Sequence, residues 1–257
     1  DRNSRNLAHP ASVAAGGLAL MALSAYYIFG VATDWRRVST FDEAMKSLDR
    51  FFPPNLDSIP ALFWPTVDTI LMAFFATLLI SIIAPPIIWI SARNITPNSL
   101  TFLLGRAIVI VTRSVHELVW GVLFVIAVGL GPLPGILALA VRDIGFVTKV
   151  VAEEVEAVDL RPVEALQAAG ASSLKVLILA IIPQVLPVYI GTLIFQWEIN
   201  LRRAAVIGVV GAGGLGLAFH QAMIQFKWRD ATAIVVILVV LVLLGEVLSR
   251  QLRKRII

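Results

Sequence analysis

Residues 231–249 read ATAIVVILVVLVLLGEVLS, and RQLRKR follows at once as residues 250–255. Glu246 is the one charge in the first run, which as a helix is about 28 Å long at roughly 1.5 Å per residue, close to the thickness of a hydrocarbon core. A basic cluster directly behind such a run marks a cytoplasmic boundary. Further apolar blocks recur upstream. Residues 11–31 and 64–92 form two. A long stretch, 100–141, is divided by GLGPLPG at 129–135 into spans at 101–128 and 134–152. Leu174–Trp197 completes the set. The pattern predicts an all-α polytopic membrane protein of about six transmembrane helices, with both termini on one side.

Composition agrees. The chain has 257 residues, 58% apolar and only 15% charged, with a mean hydropathy of +0.87. Soluble domains are nearer half apolar and a quarter charged. A net charge of +4 is too small to suggest nucleic-acid binding, and the absence of cysteine excludes a disulfide scaffold and any thiolate metal site.

Between the first two blocks, residues 34–63 are polar and mixed, with Trp35, Arg36, Arg37 and Phe51-Phe52-Pro53-Pro54. They read as an interfacial segment on the outer side. The domain reading is therefore 1–63, an N-terminal membrane helix plus that segment, and 64–257, the core. The first block is read as an uncleaved span, the competing reading being a signal peptide. Asp1 is not a Met, which suggests a native start farther upstream. Pro85-Pro86 predicts a kink or an early exit near the end of the second span. With termini inside, ten Lys/Arg fall on cytoplasmic segments and eight outside, and the cluster at 250–255 is the firmest guide to orientation.

Chemistry has little foothold. Gly211-Ala-Gly213-Gly-Leu-Gly216 matches G-x-G-x-x-G, but its flanks are membrane-like and the next acidic residue, Asp230, follows Gly216 by only 14 positions. The segment 204–219 is too short and Gly-rich for a span and reads as a partial or re-entrant element at the outer side. His116-Glu117 opens like a zinc helix, but position 120 is Trp. No G-x-x-x-x-G-K-[ST] occurs, so the chain does not itself cradle ATP. No catalytic residues and no metal site are assigned.

The polar stretch 153–173 reads as a short helix, a bend and a new span. Pro162 suits a first helical turn, Gly170 can end the helix in a left-handed conformation, and Ser172 or Ser173 can cap the next. A merely solvated loop is the alternative. Charges inside or near spans, Arg106, Arg113, Glu117, Arg142, Asp143 and Glu198, are costly and are expected to pair, to line a cavity or to sit near an interface. Arg113 and Glu117 are four apart and can pair on one helix face. Arg202 and Arg203 are placed near the outer mouth, to attract an anion or to snorkel.

Glu164-Ala165-Leu166, Gly170 and Pro183 resemble the EAA motif of ABC importer permeases, EAA-x3-G-x9-I-x-LP, with Leu166, Ala180 and Ile182 as departures. RSVHELVWGVLFVIAVGLGPLPGILALAVRDIG and FQWEINLRRAAVIGVVGAGGLG are similar to the permeases of phosphonate/phosphate-type ABC importers. His116 departs from the usual Pro, which leaves a kink there open. The resemblance implies a type I importer permease that is not itself an enzyme and moves an oxyanion inward by alternating access. A coupling helix near 160–173, carrying Glu164, Ala165, Gly170 and Pro183, would dock a cytoplasmic ABC ATPase dimer, which binds ATP and Mg. An extracytoplasmic substrate-binding protein and a second permease subunit, expected to be identical, complete the assembly in the plasma membrane. No cofactor is expected in this chain. The substrate path is placed at Arg113, Glu117, Arg142, Glu198 and Arg202. The alternatives are an anion channel or secondary transporter working without ATP, and an ABC permease for another small solute.

Overall fold

The computed structural model describes residues 5–33, 35 and 41–256, and among these there is no strand. The chain forms two compact units, Asp1–Arg50 and Phe51–Ile257. In the first, α1 (Arg5–Ala25) runs into a π-helical turn, Tyr26–Ala32. Ser12–Ala32 is of spanning length, as expected for the first block. A short helix, α2 (Phe41–Leu48), follows. Arg36 and Arg37 of the expected interfacial segment lie outside the described residues.

The second unit opens with a 3-10 turn, Leu56–Leu62, and α3 (Phe63–Ser91). Next come α4 (Ser99–Ser114), α5 (Glu117–Val128), α6 (Pro132–Glu156) and α7 (Leu160–Ala168). The one-turn α8 (Ser173–Val176) leads through a π-helical turn, Leu177–Ile181, into α9 (Ile182–Gly208). Then α10 (Gly214–Ile224) and α11 (Trp228–Ile256) complete it. Before α3, Asn55 donates from Nδ2 to Asp230 Oδ1 at 2.6 Å, which fixes the entry to α3 against the start of α11.

Among the described residues, four stretches are long and apolar enough to cross a membrane, and the bent pair α4–α5 makes a fifth if counted as one span. The sixth expected span, α6, has the length, at 25 residues, but carries Arg142, Asp143 and Lys149. Its packing explains how those charges are carried. α6 is the central helix, lying against α3, α4, α5 and α9. The residues it buries with α3 include the small Ala76, Ala84, Ala138, Ala140 and Ala152 beside the larger Met72, Ile80, Leu139 and Val147, and small side chains let apolar helices approach where no hydrophobic drive operates between them.

Three expectations are corrected. The stretch 101–128 is two helices, bent by 92° at Val115-His116. No proline is needed for the break: both residues are extended, and His116 Nδ1 accepts from the Leu118 amide at 3.3 Å, capping α5. Of the kink or early exit expected at Pro85-Pro86, the early exit does not occur: the helix runs on to Ser91. Pro85 cannot supply the amide for the Ser81 carbonyl, but the Tyr189 hydroxyl donates to it at 2.8 Å. The span beginning near Leu174 does not stop at Trp197 but continues to Gly208.

The Gly-rich stretch is a turn at 209–213 followed by α10, eleven residues long and too short to span. A Cβ at Gly208 would stand 2.6 Å from the Gly213 carbonyl oxygen, so two backbones touch where side chains would part them.

Candidate functional site

Two sites emerge: the loop that carries α7, and a chain of buried charges along α5, α6, α9 and α11.

Asp159 caps α7, its Oδ1 accepting from the Arg161 amide at 3.0 Å. The Arg161 guanidinium lies 2.6 Å from the same carboxylate and holds its pKa below the usual aspartate value. At the other end, Gly170 has a φ of +78°. Its amide donates to the Gln167 carbonyl at 2.9 Å and the Ala171 amide to Leu166 at 3.0 Å, the paired bonds of a Schellman turn. Pro162 falls in the first turn, as expected. The helix is anchored from below by buried Val163 and from the side by Gln184 of α9, whose Oε1 accepts from the Asp159 amide at 3.0 Å. Glu164, Ala165 and Gly170 remain exposed together, and Pro183 stands apart in the first turn of α9. Ser172 holds the cap position of α8 without a side-chain bond.

Inside the bundle, Glu117 does not pair with Arg113. The bend at His116 removes the common helix face, and Glu117 meets Arg142 Nε and Arg203 Nε instead, each at 3.6 Å. Asp143, wholly buried, takes Arg203 Nη1 at 2.7 Å and Arg142 Nη1 at 3.7 Å, and accepts from Gln196. Two acids and two arginines compensate one another, so this quartet is a lock between α5, α6 and α9. Arg113 is exposed and makes no ion pair among the described residues.

The second group centres on Glu198. Glu198 accepts from Arg202 and, at 3.1 Å, from Arg253 near the basic end of α11. Arg202 and Arg253 therefore share one carboxylate partner. Arg203 was flagged only as a mouth residue, and Gln196 and Asn200 were missed. Their one sequence signal is polar side chains at positions 196, 200 and 203, one face of an otherwise apolar helix.

The glycines of the G-x-G-x-x-G match follow a helix, α9, and not a strand, which removes the context a dinucleotide site requires.

The model of the binding-protein-dependent transport system inner membrane component matches residues 84–257. The chain is 38% identical to the phosphite transport system permease protein PtxC of Stutzerimonas stutzeri, over 79% of this chain and 74% of that one. It is 37% identical to the phosphate-import permease protein PhnE of Mycolicibacterium smegmatis, over 83% of this chain and 40% of that one. A solved structure of the MetNI methionine ABC transporter superposes with a TM-score of 0.68 at 22% identity, covering 79% of this chain and 99% of that chain, which speaks to the fold. A multi-pass helical bundle with a capped helix on the loop before α9, and this likeness along most of its length, place the chain in the binding-protein-dependent transport system inner membrane component family, the permease subunits of ABC importers.

Proposed function

We propose that the chain carries a phosphonate-, phosphite- or phosphate-class oxyanion inward by alternating access, driven by a separate ATPase. The observation that carries this reading is α7: a helix capped at both ends, tied to α9 through Gln184, with Glu164 and Ala165 exposed. We infer that Glu164, Ala165, Gly170 and Pro183 form the face that meets a cytoplasmic ABC ATPase dimer, the subunit that holds ATP and Mg. A binding protein delivers the ligand from outside, and a second permease subunit completes the path. Both termini then face the cytoplasm, and residues 1–63 anchor a core at 64–257.

The substrate class is supported by the phosphite and phosphate permeases among the relatives. It is supported also by Arg113, a cation within an apolar helix with no acidic partner among the described residues. A guanidinium fork suits a tetrahedral oxyanion. We infer that Arg113 lies on the path, together with Glu117 and Arg142. Glu198 and Arg202 stand apart from it, beside Arg253.

The test is reconstitution of the permease in vesicles with its ATPase and binding protein. Phosphite, phosphate or a phosphonate should stimulate ATP hydrolysis and enter the vesicles, and Arg113→Ala should lower uptake while the complex stays assembled. Oxyanion flux without ATP would overturn the reading in favour of a channel or secondary transporter. Stimulation only by a solute of another class would overturn the substrate assignment.

A further inference from the structure

Glu198 gathers guanidiniums from two helices: Arg202, one turn on along α9, and Arg253 of α11. The carboxylate side chain is 7% exposed, whereas Arg202 and Arg253 are 49% and 36% exposed. One buried acid and two half-exposed arginines leave a positive charge uncompensated at the bundle surface. Arg253 is held in place, its Nη2 also donating to Ser249 Oγ at 3.0 Å and its guanidinium carbon lying 5.9 Å from the centre of the Phe195 ring. A fork already ordered loses less freedom when it binds.

An open cleft of about 450 Å³ adjoins this pair, lined by Phe74, Leu78, Ile194, Trp197, Leu248 and Leu252 among others. Trp197 and Leu252 of its lining are the chain neighbours of Glu198 and Arg253, so the cleft runs alongside the charged group on both α9 and α11. On α11 both lie where the apolar run gives way to the basic residues 250–255, and tryptophan is a side chain suited to the border of apolar and polar lipid regions.

We propose that this is a binding site for an anionic phospholipid, its phosphate on Arg202 and Arg253 and an acyl chain in the cleft. A transported oxyanion offers the same phosphate chemistry but has nothing to place against six apolar side chains. A zwitterionic lipid brings a cation towards a site of positive charge. Basic pockets between membrane helices take anionic headgroups in this way.

The experiment uses the full chain, purified in detergent, stripped of lipid and titrated with phosphatidylglycerol or phosphatidylcholine under native mass spectrometry. One phosphatidylglycerol should be retained in preference to phosphatidylcholine. The pair Arg202→Ala/Arg253→Ala should weaken it by roughly thirtyfold, about one surface contact per arginine. Leu248→Trp, which fills the cleft at a half-exposed position without touching the ion pairs, should weaken it as well. Millimolar inorganic phosphate should not displace the lipid. Undiminished phosphatidylglycerol binding in either variant overturns the proposal. Displacement by inorganic phosphate also overturns it, and assigns the arginines to a free oxyanion.

Discussion

Tyr189 of α9 donates its hydroxyl hydrogen to the carbonyl of Ser81 in α3 at 2.8 Å, filling the place of the amide that Pro85 lacks. A proline deep in a helix is thereby tolerated, because the carbonyl it strips finds a partner on a neighbouring helix. Tyr189→Phe should leave that carbonyl unpaired and cost about 1–3 kcal/mol. Pro85→Ala restores the helical amide, so in that background Tyr189→Phe should cost much less. Thermal unfolding of the four proteins in one detergent closes the cycle, and equal losses in both backgrounds would remove the hydrogen bond from the account.

Gly170 is constrained by angle and not by space. Its φ is +78°, and a Cβ there would meet nothing within 4 Å. Gly170→Asn should therefore retain most ligand-stimulated ATP hydrolysis in the assembled transporter, since Asn tolerates the left-handed region. Gly170→Val should lose most of it, at a strain of about 1–3 kcal/mol. If the two variants behave alike, the turn is not what shapes α7.

Asp143 and Arg203, at 2.7 Å, belong to the compensated quartet. Asp143→Ala should leave a buried guanidinium with too little negative charge and cost about 3–5 kcal/mol, seen as loss of monodisperse protein after extraction. Asp143→Leu/Arg203→Met removes both charges at similar volume and should recover much of that loss. Failure of the double variant to recover would mean that each charge serves something besides the other.

Asp159 has its pKa lowered by Arg161 in the folded loop. A depressed carboxylate pKa adds stability above the unfolded value, and that contribution disappears as pH falls through the folded value. Amide exchange at the first turn of α7 should stay protected from neutral pH down to the ordinary carboxylate range and weaken below it. Asp159→Asn keeps a capping oxygen but cannot titrate, so its protection should not follow pH in that window.

Orientation can be read by single cysteines, because the chain has none of its own. An impermeant thiol reagent should label Asp49→Cys from outside intact cells, and should reach Gln167→Cys and Arg255→Cys only after lysis. Labelling of Asp49→Cys and Arg255→Cys from the same side would require an odd number of crossings between them to be replaced by an even one.

Local geometry was legible in the sequence; the choice of distant partners was not. The loop at 159–173 could be read because Pro162 and Gly170 act within one or two turns of themselves, and Gly170 does adopt the left-handed turn. The break at 115–116 was hidden, since histidine is not a helix breaker and ends α4 only by capping its successor. Spacing allows Glu117 to pair with Arg113, and that break is what sends it to Arg142 and Arg203 on two other helices. Glu198 and Arg253 are 55 positions apart, and no periodicity in either helix announces the other.

Gln184 carries a mechanical consequence. The chain from α7 to α9 passes through a π-helical turn at Leu177–Ile181, a soft link if it alone bore the load. The side chain of Gln184, at the foot of α9, bypasses that link, bonded to Asp159 at the head of α7 and to the Ala180 carbonyl within the turn. A push on α7 therefore acts on α9 as on the short arm of a lever. Over its 27 residues, about 40 Å at roughly 1.5 Å each, a tilt of about 5° would swing the far end, at Gly208, by about 3–4 Å. The glycine contact at that end, backbone against backbone, has no side chains to cushion the stroke.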